Sequence, residues 1–397
     1  MKIIHKTYRF AIMPTKEQQV LLGKHFGCVR YVFNHFLNER KKQYEENKKS
    51  DNYYKQAATL TTLKKQQETE WLKEVNSQTL QYALRCLDTA YINFFRGNAK
   101  FPRFKSKKHK NSFTIPQFVT VENNFLHIPK FKDGISVNIH RQIEGEIKHC
   151  TISKTPTGKY FVSILCEVEH KPKEKANKEC GIDLGLKDFV ITSDGIKFKN
   201  NRYTKHYERR LAKAQKHLSH KRKGSKRYDS QRLKVALLHE KVANTRLDNL
   251  HKVSSRIISE YDTIALEDLN IKGMVKNHKL AKHISDASWG TFVRLLEYKA
   301  NWNDKQILKV SRFYPSSKSC SCGWINQNLK LSDRNWTCKK CNTTHDRDVL
   351  AANNILKEAK RIIATELSDY TLRGKNKTSA KKHKPMKSEA HLSLANG

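Results

Sequence analysis

No stretch of about 18 consecutive apolar residues occurs in this 397-residue sequence, so no bilayer-spanning helix is expected. The N-terminus offers neither an apolar run nor a small-residue cleavage site, because Ile3-Ile4 gives way at once to Lys6-Thr-Tyr-Arg9. We therefore expect no secretory leader and a cytoplasmic location. Acidic residues are scarce: 38 Asp and Glu stand against 78 Lys and Arg, a formal charge of +40. Such an excess repels itself unless it meets a polyanion. The cations run from Lys2 to Lys387 rather than gathering in one tail, which suits long tracts of phosphate backbone and leads us to expect no membrane partner. No fixed-period repeat is present.

The chain opens with a strand-like segment over residues 4–12. Pro14-Thr15-Lys16-Glu17-Gln18 then reads as a helix start in which Thr15 and Gln18 cap each other. Leu21, Leu22, His25, Val29, Val32, Phe33 and Phe36 follow at helical spacing, and a second helical block is expected over 59–95, stopped by Gly97. Phe101-Pro-Arg-Phe-Lys-Ser-Lys-Lys108 is a basic loop with interleaved aromatics. Its rings could stack on bases while Arg103, Lys105, Lys107 and Lys108 hold phosphates; the plain alternative is a solvated loop with its Phe residues tucked into the core. From 112 to 169 the pattern alternates with period two and includes a hairpin at Pro156-Thr157-Gly158. This predicts a small antiparallel sheet or barrel to which the N-terminal strand returns. A charged segment over 171–178 then leads into a new domain of buried strands and long helices. There Lys221, Arg222, Lys223, Lys226 and Arg227 form a basic hairpin tip, a candidate backbone-phosphate contact or simply a solvated face.

Three carboxylates stand where rigid elements would present them. Asp183 lies inside a strand between Ile182 and Leu184, where an uncompensated charge is costly without a cation. Glu267 closes the strand Ile264-Ala-Leu266, with Asp268 an alternative. Asp348 opens the last helix, and Asp346 reads as a rival or as its N-cap. Oxygen ligands in such a set suit Mg²⁺ or Mn²⁺, and two such ions would serve phosphodiester hydrolysis. The order of first strand, later strand and last helix is that of an RNase H-like domain. Singly each acid is weak evidence, since Asp-x-Gly after a strand also occurs in ATP sites of other folds.

The nine cysteines fall into two groups. Cys28, Cys86, Cys150, Cys166 and Cys180 are isolated in mostly apolar surroundings and read as small core residues. Cys320-Ser-Cys322 and Cys338-Lys-Lys-Cys341, about 15 residues apart, read as a four-thiolate zinc ribbon whose ion would be structural. The first half is one residue short of the usual knuckle, so that its turn is distorted or His345 or a neighbouring loop adjusts.

Together these residues resemble the transposon-encoded TnpB family, relatives of compact type V CRISPR nucleases. The likeness runs through Tyr8-Arg-Phe10 with Pro14-Thr15, Pro102-Arg-Phe-Lys-Ser106, Gly181-Ile-Asp-Leu-Gly185, Leu266-Glu-Asp-Leu269, Ser288-Trp-Gly290, Ser316-Ser-Lys318 and His345-Asp-Arg-Asp348. It implies an α+β multidomain protein. A β-barrel-like wedge over 1–12 and 112–170 would carry a helical recognition domain over 13–111. A RuvC-type nuclease domain would cover 178–314 and 345–368, with a zinc ribbon at 315–344 and a disordered basic tail over 369–397. It implies Asp183, Glu267 and Asp348 as catalytic metal ligands, a guide RNA from the transposon end, and double-stranded DNA as target. The expected activity is RNA-guided DNA cleavage by a monomer within the ribonucleoprotein, in a bacterium or archaeon. A catalytically silent RNA-guided regulator and a transposase or accessory protein are the alternatives. Two departures stand out: the short Cys320-Ser-Cys322, and Leu350 where the family usually has Asn.

Overall fold

The computed structural model describes residues 1–108, 111–330 and 332–374. The chain divides into two compact units, the first comprising Met1–His170 and the second starting at Lys171.

In the first unit β1 (Lys2–Met13) buries Ile4, Tyr8, Phe10 and Ile12, the alternation of a strand with one face in the core. Thr15 and Gln18 form the expected reciprocal cap at the start of α1 (Lys16–Asn47). The expected single block over 59–95 is instead broken into α2 (Tyr53–Leu63), a 3-10 turn (Gln67–Glu74) and α3 (Ser77–Phe95). It starts earlier than expected and breaks in its middle because two asparagines act as caps, Asn52 ahead of the block and Asn76 within it. Asn52 accepts from Lys55 N at 3.2 Å and Asn76 from Gln78 N at 2.9 Å, so each starts a new helix. Six further strands follow: β2 (Asn111–Ile115), β3 (Thr120–Glu122), β4 (Phe125–Ile128), β5 (Phe131–Asn138), β6 (Glu146–Lys154) and β7 (Tyr160–His170). The sheet order is β2-β6-β7-β1-β5-β4-β3. The N-terminal strand does return to this sheet: β1 lies antiparallel to β7 from Lys2↔His170 to Ile12↔Tyr160, and its far end also pairs with β5.

The second unit is built on a five-stranded sheet ordered β10-β9-β8-β11-β12. Its strands are β8 (Glu179–Asp183), β9 (Asp188–Thr192), β10 (Lys197–Lys199), β11 (Thr263–Glu267) and β12 (Gln306–Val310). β11 runs parallel to both β8 and β12, whereas β9 is antiparallel to β8. The helical hairpin α4 (Tyr203–Ser219) and α5 (Lys226–Glu260) leads from β10 to β11. Between β11 and β12 lie α6 (Ile271–Met274), α7 (His278–Ala287) and α8 (Trp289–Trp302). After β12 come the short pair β13 (Asn335–Thr337) and β14 (Thr344–Asp346), then α9 (Arg347–Gly374). The last helix thus runs into the segment expected as a disordered tail over 369–397, and residues 375–397 of that tail lie outside the described residues.

Side-chain alternation sorts the two faces of this sheet. Cys180, Ile182, Ile264 and Leu266 pack with Leu250, Val253 and Ile257 of α5 and with Phe292 and Leu296 of α8. Ala265 and Val310 point to the other face and pack with Ile355 and Ala359 of α9. A buried lysine fastens α8 to α5: Lys299 Nζ donates to His251 O at 2.9 Å, Ser254 Oγ at 2.7 Å and Ser255 Oγ at 2.8 Å. On the α9 face Gly181 touches helix backbone, since a Cβ there would lie 1.8 Å from Ala352 O. The prediction is direct. Gly181→Ala must drive α9 off β8 and is expected to destabilise the second unit by about 3 kcal/mol, as overpacking against rigid backbone does. Denaturant unfolding of the two proteins side by side measures this.

Candidate nuclease and metal centres

The same alternation that places Gly181 and Ala265 on the α9 face places Asp183 and Glu267 there too, two residues on in each strand. Asp348 lies in the first turn of α9. The three acids named from sequence therefore converge at one end of the sheet, beneath the start of one helix. The half-buried carboxyl of Asp183 is pushed up to about 7, first by desolvation and then by the charges of Glu267 and Asp348, with Arg347 opposing. Glu267 is also raised by desolvation, tempered by a hydrogen bond from Ser316 Oγ to its Oε1 at 2.6 Å. A cluster that disfavours its own ionisation in this way is the electrostatic complement of a divalent cation, and all its donors are hard oxygens.

The rival acids have other roles. Asp346 Oδ1 accepts from Asp348 N at 3.0 Å and Val349 N at 3.2 Å, which makes it the cap of α9, and its Oδ2 meets Lys197 Nζ at 2.7 Å. Asp268 follows the end of β11 and meets Arg312 at 3.4 Å. Asp348 is engaged by two guanidinium groups: Arg334 Nη1 lies 2.9 Å from Oδ2, and Arg347 Nη2 lies 3.0 Å from Oδ1. Arg334 has no role among the sequence motifs, and Ser316 stands in the family-like Ser316-Ser-Lys318 without a role assigned to it. They reach the acids only through folding and could not be found from local spacing. Asn354 of α9 is another such residue, donating to Ser316 O at 2.7 Å and Ser319 O at 2.6 Å.

The four cysteines meet. Their sulfur atoms all lie within 4.8 Å of one another, and among the described residues they are the one group of three or more His, Cys, Asp or Glu with that property. Cys320 Sγ is 3.5 Å from Cys341 Sγ, and Cys322 Sγ is 3.6 Å from Cys338 Sγ. The short first half succeeds by a tight turn, closed by Gly323 N donating to Cys320 O at 3.0 Å, with Gly323 at φ +85°. In the second half Lys340 N donates to Cys338 Sγ at 3.4 Å. His345 Nε2 approaches Cys320 Sγ at 3.2 Å while its ring lies tilted against Trp336, the centroids 4.8 Å apart. Leu350, the departure from the family pattern, is buried against Cys320, Trp336 and Cys338. It faces this module.

The nucleic-acid candidates divide. Arg103, Lys107 and Lys108 are exposed, as are Phe101 and Phe104. Lys105 is exposed as well, and its Nζ sits 3.9 Å from the centre of the Phe33 ring while its backbone is fixed by Asn34 through bonds of 2.7 and 2.9 Å. Desolvation lowers the affinity of that amine for its proton. In the second unit Arg222, Lys223, Lys226 and Arg227 are exposed at the α4–α5 tip and Lys221 is partly so. Lys213, Lys216, His217 and His220, unremarked in the sequence, join Lys221 in lining a basic cleft along α4.

The Asp183 shift carries a testable sign. Its folded value lies above the ordinary 3.8, so the folded chain keeps a proton that the unfolded chain has released. Stability should fall as pH rises from about 4 to about 7. Asp183→Asn cannot ionise and is expected to gain on the wild type across that window. Thermal unfolding in magnesium-free buffer should show the difference widening from about pH 4 to about pH 7 and levelling off above it.

Residues 163–278 match a family model described as "Probable transposase", of the IS605 OrfB type, and residues 289–355 match a Cas12f1-like TNB domain. Residues 1–49 match a model described as a helix-turn-helix domain, although here they form one strand and one long helix. A protein of Streptomyces pristinaespiralis with the provisional name RNA-guided DNA endonuclease is 38% identical over 90% of both chains. InsQ of Escherichia coli K12, with the same provisional name, is 32% identical over 90% of this chain and 93% of its own. The fold resembles the protein in a Cas12f1–sgRNA–target DNA complex, with a TM-score of 0.55 and 12% identity, covering 89% of this chain and 98% of that one. On these likenesses the chain belongs to the TnpB family, the OrfB proteins of IS605-type transposons.

Proposed function

We propose that this chain is a transposon-associated, RNA-guided endonuclease that cuts double-stranded DNA at a RuvC-type centre formed by Asp183, Glu267 and Asp348. The observation that carries the reading is the convergence of three acids on one face of the sheet in a chain of charge +40. The names borne by the relatives in Streptomyces pristinaespiralis and Escherichia coli agree with it.

In this reading the three carboxylates hold Mg²⁺ or Mn²⁺. Such ions supply an activated water and a stabilised leaving oxygen. The chain's own part is placement. β8 and β11 are rigid strands, so Asp183 and Glu267 keep a fixed spacing, and Ser316 fixes which way the Glu267 carboxylate faces. Hydrophobic burial beneath the site keeps water from screening the acids. The four thiols hold Zn²⁺, a structural role because no coordination position is left for water. The sheet of residues 1–12 and 112–170 serves as a barrel-like wedge and the helices of 13–111 as a recognition domain. Residues 178–314 and 345–368 form the nuclease domain and 315–344 the zinc ribbon. The guide RNA, transcribed from the transposon end, pairs with the target while exposed cations such as Arg103, Lys107, Arg222 and Lys226 hold backbone phosphates, and one chain acts per ribonucleoprotein.

Sequencing RNA that co-purifies with the chain should return one uniform species abutting a variable segment. Loaded with a matching guide, the wild type should cut DNA only with Mg²⁺ or Mn²⁺, and Asp183→Ala should lose at least about a thousandfold in rate, the scale of removing a group made for the transition state. Occupancy of DNA without any cutting would make the chain a regulator instead. Elemental analysis should find about one zinc per chain, falling toward none in Cys338→Ser; a metal-free wild type would remove zinc from the account.

A further inference from the structure

Asp348 differs from the other two acids in its surroundings. Both of its oxygens are already held by cations within the chain. Arg334 Nη1 donates to Oδ2 at 2.9 Å, and Arg347 Nε and Nη2 donate to Oδ1 at 3.1 and 3.0 Å. The two arginines are not equivalent. Arg347 adjoins Asp348 in sequence and its side chain is 13% exposed, whereas that of Arg334 is 43% exposed. Arg334 also belongs to the cysteine module. It precedes β13, whose Asn335 pairs with Asp346 of β14, and its carbonyl accepts from Arg347 N at 2.7 Å. The module is fastened to the start of α9 by Leu350 packed on Cys320, Trp336 and Cys338. Its fold therefore decides where Arg334 is held.

A carboxylate oxygen that binds a divalent ion directly does so at about 2.0–2.1 Å for Mg²⁺. A guanidinium on the same carboxylate would then stand within a few Å of that ion, and like charges so close repel strongly in a half-buried site. The exposed partner has water to move into and the buried one does not.

We infer that Arg334 is a placeholder cation: it holds Asp348 in the divalent-free chain and gives it up when a divalent ion enters, so that the cysteine module sets the affinity of the carboxylate site. This rests on the carboxylates being a divalent-ion site. It makes Arg334 a positioning residue whose loss tightens metal binding, the reverse of what a supporting contact would do.

The test uses the full-length chain, with its RNA and cysteine-bound metal in place and free of magnesium, and Mn²⁺ as probe followed by electron paramagnetic resonance. The site is defined as the Mn²⁺ bound by wild type and lost in Asp183→Asn. Arg334→Gln should bind that Mn²⁺ roughly fivefold more tightly, the scale of releasing a part-exposed ion pair. Without any substitution, phenylglyoxal modification of Arg334, mapped by peptide mass, should rise as Mn²⁺ fills the site. Unchanged or weaker Mn²⁺ binding in Arg334→Gln overturns the inference, as does an Arg334 reactivity that stays level or drops. If wild type and Asp183→Asn bind Mn²⁺ alike, the carboxylate reading itself fails and the inference falls with it.

Discussion

The approach of α9 to β8 at Gly181 is the contact on which the second unit depends. A helix normally keeps about 10 Å from a sheet because side chains stand between them. Here a missing side chain lets Ala352 O settle onto the strand. That closeness draws the first turn of α9, with Asp348, toward the end of β8, where Asp183 stands two residues past the glycine. The cluster of Ala265, Val310, Ile355 and Ala359 continues the same contact along the sheet. The geometry of the acid cluster is in this sense set by an absence of atoms at one position.

The acid cluster and the cysteine module are joined through one short stretch of chain. Residues 344–350 supply β14, the cap Asp346, the acid Asp348 and the buried Leu350. Asn354, one turn on, holds the loop that leads into Cys320 by its Ser316 and Ser319 carbonyls. Ser316 in turn donates to Glu267. The cysteine module is thus tied to the acids from both of its ends. Its unusual residues fit that role: the one-residue gap of Cys320-Ser-Cys322 is absorbed by a turn at Gly323, and Leu350 serves the core of the module.

Much of this was legible because it is written in local periodicity. The Thr15–Gln18 cap, the strand at residues 4–12 and the hairpin at Gly158 need only neighbours a few residues away. The choice of Glu267 over Asp268 and of Asp348 over Asp346 comes from the family pattern; in the fold Glu267 closes β11 on the α9 face, and Asp346 is occupied as the cap of α9. What stayed hidden depends on contacts distant in sequence. Asn76 interrupts an apolar pattern that reads as continuous helix, and a polar cap inside such a pattern is easily taken for its solvent face. Lys105 reads as a free cation in a basic loop, yet it rests on Phe33 from a helix more than 70 residues earlier. The hold of Arg334 on Asp348 has no sequence signature at all.

The order of elements also governs how the protein comes into being. α9 covers the second face of the sheet, yet it is made last, after β8, β11, β12 and the cysteine module. Domains form from the N-terminus as synthesis proceeds, so a nascent chain holds Asp183 and Glu267 long before it holds Asp348. Gly181, Ala265 and Val310 stay uncovered until α9 emerges from the ribosome. A chain broken off anywhere before that helix leaves one face of the sheet uncovered and its set of acids incomplete. A nuclease arranged in this order gains its third carboxylate and its fold in the same event.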